Sequence, residues 1–265
     1  MRDSHIRTRA AALPWKETPD EVACNFALGH LYPNLRGRLT VDGRIHAETY
    51  ISAVGAIAGY AAQRTLFAKH PSVIDGLYEV RLVSGERLWF GAPLNDMLVP
   101  KTDVEASRCV WSQAAGGAVN AGIKLQQLPN LDAMSAGIEL QLPNLDAMFE
   151  HVASTIGGAN EGKSSVPPQH QPHLPARDLL RAVWPVAVRS FSGKFSAFHE
   201  YPAAPVAWWS AIAAQASNRP IRNVSSVLPP DIALTLLMET AIYCSKLDPS
   251  RVDGATPQWM RDEVK

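Results

Sequence analysis

The chain's 265 residues are 46% hydrophobic and 19% charged, enough apolar material for one large core or two modest ones. Its 25 basic side chains balance 25 acidic ones, which argues against a dedicated nucleic-acid binder and against attachment to an acidic membrane surface. Three scattered cysteines, Cys24, Cys109 and Cys244, argue against a disulfide framework and fit reduced thiols in a cytoplasmic protein.

Basic residues gather at Arg2, Arg7 and Arg9 and again at Arg36, Arg38 and Arg44, and read as solvated arginines. The opening residues lack the apolar stretch of a signal peptide. Uncharged runs such as Thr49 to Gln63 are shorter than the roughly 20 residues a membrane span needs.

Pro19 opens a first predicted helix, with Thr18 placed to cap it and Val22, Phe26 and Leu31 able to share one face. Asp42-Gly43 then signals a tight hairpin, because both central positions of such a turn want positive φ. From about Ala47 to Ala68 the pattern is helical. Ile51, Val54, Ala58 and Ala61 make one stripe, while Ser52, Gly55, Gly59 and Ala62 make a flat second one. Glycine inside a helix costs about 1 kcal/mol, so this spacing predicts close contact with another backbone in a buried central helix.

Tyr78 to Phe90 alternates as two strands around Ser84-Gly85. A lone hairpin is marginal in water, so the Asp42-Gly43 hairpin is its expected partner. A helical pattern resumes from about Val104, where Gly116 and Gly117 again permit close approach.

Ala121–Met134 (AGIKLQQLPNLDAM) is then nearly repeated as Ala136–Met148 (AGIELQLPNLDAM). One copy is surplus, which places it at a surface, and two copies are too few for a solenoid. Residues 157–175 are rich in Gly, Ser and Pro and read as a linker. Three helices are predicted beyond it: Arg177–Arg189, which Pro185 should kink or end, Pro205–Ser217 and Pro230–Leu247. A polar tail follows Arg251.

Several motifs carry chemistry on paper. Gly157 to Ser164 has the letters of a phosphate-binding loop, but Pro167 and Pro168 block the helix that such a loop needs. His170 and His173 could catch a metal, yet no carboxylate or cysteine stands near them in sequence. Phe195, Phe198 and His199, with Trp208 and Trp209, could line an apolar pocket; plain core is the commoner outcome. Ser190, Ser192 and Ser196 lie outside any nucleophile elbow. Asp248 to Gly254 lacks the alternating ligands of a calcium loop.

His46-Ala47-Glu48 follows a predicted strand and opens a predicted helix. It resembles the H-x-E element of zinc-dependent nucleoside and nucleic-acid deaminases. The resemblance implies zinc bound by His46 and Glu48 as the proton shuttle. It covers these residues alone: the family's P-C-x-x-C half has no counterpart, since Cys109 and Cys244 each stand singly.

The expected fold is α+β and mainly helical, with a small antiparallel sheet from hairpins near 38–48 and 78–90. An α+β part spans 1–156, a linker or loop 157–176, and an all-helical part 177–265, and the two parts can share one core. The preferred function is a non-enzymatic cytoplasmic protein acting through helix surfaces, with a protein partner or as a homodimer, without nucleic acid, membrane or cofactor. The alternative is a small-molecule enzyme built from distant residues, performing metal-dependent hydrolysis or deamination at His46 and Glu48, with zinc implied only in that case.

Overall fold

A computed structural model of the chain describes residues 13–68, 74–100, 107–123, 145–194 and 201–253. In chain order the elements are α1 (Glu21–Leu39), β1 (Thr40–Val41), β2 (Arg44–Ile45), α2 (Ala47–Leu66), β3 (Tyr78–Arg81), β4 (Arg87–Phe90) and α3 (Ala92–Leu98). Then follow α4 (Val110–Asn120), α5 (Leu145–Thr155), α6 (Ala176–Phe191), α7 (Val206–Val224), α8 (Pro230–Cys244) and α9 (Pro249–Val252). The fold is mainly helical, with two small antiparallel hairpins packed against the helices. Among the described residues no helix is long and apolar enough to cross a membrane.

The frame is a pair of buried helices, α2 and α8. Gly55 faces Leu237 and Gly59 faces Ala241, so both chains climb together and the helices run parallel. A β-carbon on Gly59 would sit 2.6 Å from the Ala241 carbonyl carbon, and one on Gly55 would sit 3.0 Å from that of Leu237. Only hydrogen fits there, which is why the glycines stand at these positions despite their helix cost. One turn further, the buried Gln63 amide donates to the Ser245 and Leu247 carbonyls at 2.8 Å each, satisfying orphan acceptors near the end of α8. Gly117 plays the same part between α4 and α7, facing the Asn218 carbonyl.

The first hairpin turns through Asp42 (φ 50°) and Gly43 (φ 73°), as the sequence requires. The second pairs Tyr78 with Phe90 through Arg81 with Arg87. The two hairpins do not join into one sheet. The outer edge of β4 instead meets the segment after α8: Leu88 bridges Leu247, and the Trp89 amide donates to the Lys246 carbonyl at 2.8 Å.

Helix α1 differs from expectation in its facing. Its core side is Ala23, Cys24, Ala27, Leu31 and Leu35, and Val22 and Phe26 look outward, 57% and 37% exposed. Small side chains seat this helix against α6 and α7, and that contact selects the face. Thr18 does not cap it, because its hydroxyl donates to the Trp15 carbonyl at 2.7 Å. Pro33, Pro185 and Pro220 all lie inside helices. A mid-helix proline costs about 3 kcal/mol. In α6, Leu179, Leu180, Val183, Trp184 and Phe191 are buried around Pro185, and at roughly 1.5–3 kcal/mol each they outweigh it.

Residues 157–175 are a packed crossing. Val166 is buried, and the Gln171 amide donates to the Ser164 and Val166 carbonyls at 2.8 Å each. Arg177, just beyond, joins Glu86 of the second hairpin at 2.8 Å, Glu161 of the crossing and the Tyr243 hydroxyl of α8 at 2.8 Å. One hydrophobic cluster runs from Trp15 to Val252 and draws on residues from both sides of the crossing. Most of the sequence repeat, residues 124–144, lies outside the described residues, as do Arg2, Arg7, Arg9 and the tail from 254; Leu145–Met148 of the second copy forms the first turn of α5.

Candidate functional site

Two motifs that stand 122 residues apart meet at the N-terminus of α2. His46 is the cap of that helix: its Nδ1 accepts the Thr49 amide at 3.3 Å and lies 2.8 Å from the Thr49 hydroxyl. A backbone amide can only donate, so Nδ1 is the unprotonated nitrogen and the neutral ring carries its proton on Nε2. That nitrogen faces Glu48 Oε2 at 3.3 Å. The other oxygen, Oε1, accepts from Nδ1 of His170 at 3.0 Å. His173 completes the group, since its ring stacks on His46 with centroids 3.8 Å apart and its amide donates to the Thr49 hydroxyl at 3.0 Å.

The crossing delivers these two histidines. Pro168–His170 forms a single 3-10 turn after Pro167, which fixes where His170 emerges. Glu48 sits between two imidazoles with its side chain 12% exposed, against 34% for His46 and 24% for His170. Burial alone would raise the Glu48 carboxyl. The His170 hydrogen bond, its own backbone amide and the two neighbouring rings together hold it below the usual carboxylate range. Burial pushes His46 below its ordinary value, and the attraction of Glu48 does not restore it. The result is an ionised carboxylate bracketed by N–H donors, with Nε2 of His170 directed away from it.

Such a carboxylate–imidazole pair can orient a general base or steady a charged imidazole. It gives less support to His46 as a zinc ligand, because both of its nitrogens are already engaged. Among the described residues no three histidine, cysteine, aspartate or glutamate side chains are arranged to hold a metal ion. Cys24, Cys109 and Cys244 are buried and form no disulfide among the described residues. Burial, with Asp20 nearby, pushes Cys24 up to about 12, so it is no nucleophile at neutral pH.

The aromatic candidates divide. Phe195, Phe198 and His199 lie outside the described residues, as does Ser196. Trp208 donates to Asp20 at 2.9 Å and lies under the Arg108 guanidinium at 5.0 Å. Trp209 donates to the Ala204 carbonyl at 2.9 Å and stacks on Phe191 at 4.9 Å. These two tryptophans serve different helix contacts. Ser190 and Ser192 donate to backbone carbonyls of their own helix. The acids of the 248–254 segment are occupied too: Asp248 caps α9 and pairs with Arg87 at 2.9 Å, and Asp253 accepts from Tyr60 and Trp184 at 3.1 Å each.

The phosphate-loop letters at 157–164 resolve into a different use of the same donors. Ser164 and Ser165 give their hydroxyls to Glu239 of α8, with the Ser165 pair at 2.6 Å, and the Ser165 amide adds a third bond at 2.7 Å. The signal for Glu239 was visible as a lone acid in the apolar run Ala233–Cys244. Lys246 gave no such signal. It is 4% exposed, burial lowers it to about 8, and its ammonium lies 3.4 Å from Asn95 Oδ1 and 5.1 Å from the Phe90 ring centre. No protein-family model, no curated protein and no solved structure matches the chain.

Proposed function

We propose that the chain is a small-molecule enzyme whose centre is the Glu48–His170 pair, acting by general-base hydrolysis. The observation that carries this reading is the 3.0 Å contact between Glu48 Oε1 and His170 Nδ1, made across 122 residues of sequence. Glu48 keeps the proton on Nδ1, and Nε2 is left to take a proton from an attacking water. Glu48 then stabilises the imidazolium until that proton passes to the leaving group. His46 and Thr49 act as positioning residues, since they hold the helix terminus and the 173 backbone. The metal-dependent version has weaker support, because His46 has no nitrogen to spare.

A panel of activated esters, amides and nucleosides, assayed across pH with and without added zinc, tests this. The expected result is a saturable activity that falls by roughly 10²–10⁴-fold in His170→Gln and Glu48→Gln. Equal rates in wild type and both variants would overturn it.

A second reading, an interaction protein working through a helix surface, draws on α1. Val22 and Phe26 are exposed there, and Phe26 packs 4.6 Å from the Tyr201 ring beside His30. The small-residue faces of α2 and α4 do not serve this purpose, because the chain's own helices cover them. Sedimentation velocity on wild type and Phe26→Asp separates the cases: loss of a dimer in the variant supports an α1 interface, and a monomer in both removes that support for self-association.

A further inference from the structure

A groove of about 270 Å³ lies between α5 and α8, floored by the crossing. It has room for a ligand of a few heavy atoms. Met148 and Ile232 give it an apolar wall, and Ser165, Thr235 and Glu239 give it a polar end.

The polar end is built mainly from acceptors, with the His151 ring, whose Nε2 lies 3.0 Å from the Lys163 carbonyl, on the α5 side. Glu239 is 3% exposed. Its Oε2 takes two donors and its Oε1 only one, from Ser165 at 2.6 Å, so Oε1 keeps an open acceptor position. The Thr235 hydroxyl donates its proton to the Asp231 carbonyl at 3.0 Å, so its oxygen can only accept further. Among the described residues no lysine or arginine pairs with Glu239. Lys163, which lines an adjoining cleft together with Glu239, directs its ammonium to Asn160 at 3.3 Å. A buried carboxylate without a cation, at one end of an apolar trough, lacks the charge that would complete it.

We infer that this groove binds a small primary alkylammonium, with the ammonium on Glu239 and Thr235 and the alkyl chain along Met148 and Ile232. An anion is disfavoured by Glu239, and a neutral alcohol would supply one donor where three can be accepted. The site is separate from Glu48 and His170, and it stands or falls independently of the enzymatic reading.

The test is calorimetric titration of the full chain with n-pentylammonium chloride and, in parallel, 1-pentanol. The expected result is saturable binding of the ammonium at about 1 mM, with the alcohol weaker by at least about tenfold. Glu239→Gln should weaken the ammonium by a similar factor while leaving the circular dichroism spectrum intact. Ala147→Trp, on the exposed rim of the groove, should block binding without touching the polar end, and serves if the Glu239 variant does not fold. Equal affinity for amine and alcohol, no saturable heat, or unchanged binding in a folded variant would each overturn the inference.

Discussion

Glu48 and Glu239 hold two ends of the same proline-rich crossing, and they do so with different donors. Glu239 takes two hydroxyls and a backbone amide, none of which titrates near neutrality. Glu48 takes imidazoles, which do. The 164–165 end is therefore held through hydroxyls and an amide, and the 170–173 end meets Glu48 and His46, both of which are held below their ordinary values. Both carboxylates ride on the parallel pair α2 and α8, so the glycine contact between those helices sets the span that the crossing bridges.

The comparison breaks most completely at its frame. Gly59→Ala pushes a β-carbon into the Ala241 carbonyl, and should destabilise by about 3 kcal/mol in urea unfolding while loosening both ends. Unchanged stability would mean that the two helices do not approach as described. Glu239→Leu comes next: it strands the Ser165 amide and two hydroxyls, for a loss of about 2–3 kcal/mol, read the same way.

Glu48→Gln should cost less, about 1 kcal/mol, because the amide oxygen still accepts one imidazole N–H. Its signature is in the pH dependence. A carboxyl held below its usual range contributes stability that is present above that range and lost as pH falls through the lowered value. His46, held below its ordinary value, likewise contributes stability that is present above about 6.5 and lost as acid forces it to protonate. Wild type should weaken progressively below about pH 6.5, and Glu48→Gln should lose the carboxylate's share of that slope.

The smallest effect belongs to His46→Asn. Asparagine is a good cap, so stability at pH 7.5 should move by less than about 0.5 kcal/mol. The decline just below pH 6.5 should flatten. A steep decline retained in this variant would place the titrating group elsewhere.

Much of the frame was legible in the residues. Gly55 and Gly59 at one-turn spacing named a backbone contact, and Asp42-Gly43 named its turn, because sterics leave few alternatives at those positions. Local signals failed where long-range packing decides. Val22 and Phe26 satisfy helical periodicity as well as Cys24 and Leu31 do, and only the seat offered by α6 and α7 selects between them. Pro185 reads as a helix end until its burial is known.

The site was half legible. His46-Ala47-Glu48 and His170-x-x-His173 each stood out, and each lacked a partner in sequence. Their meeting depends on the path of the crossing, which depends on Glu239, and no spacing rule connects residues 48, 170 and 239.

The central claim is that Glu48 joins these two histidine segments into one hydrogen-bonded cluster. Long-range proton–nitrogen NMR of the imidazoles at pH 7.5, with assignment by His46→Asn and His170→Gln, tests it most directly. The account predicts His46 protonated on Nε2, His170 protonated on Nδ1, and both sets of nitrogen shifts displaced together in Glu48→Gln. Averaged tautomers at both rings, indifferent to Glu48→Gln, would contradict it.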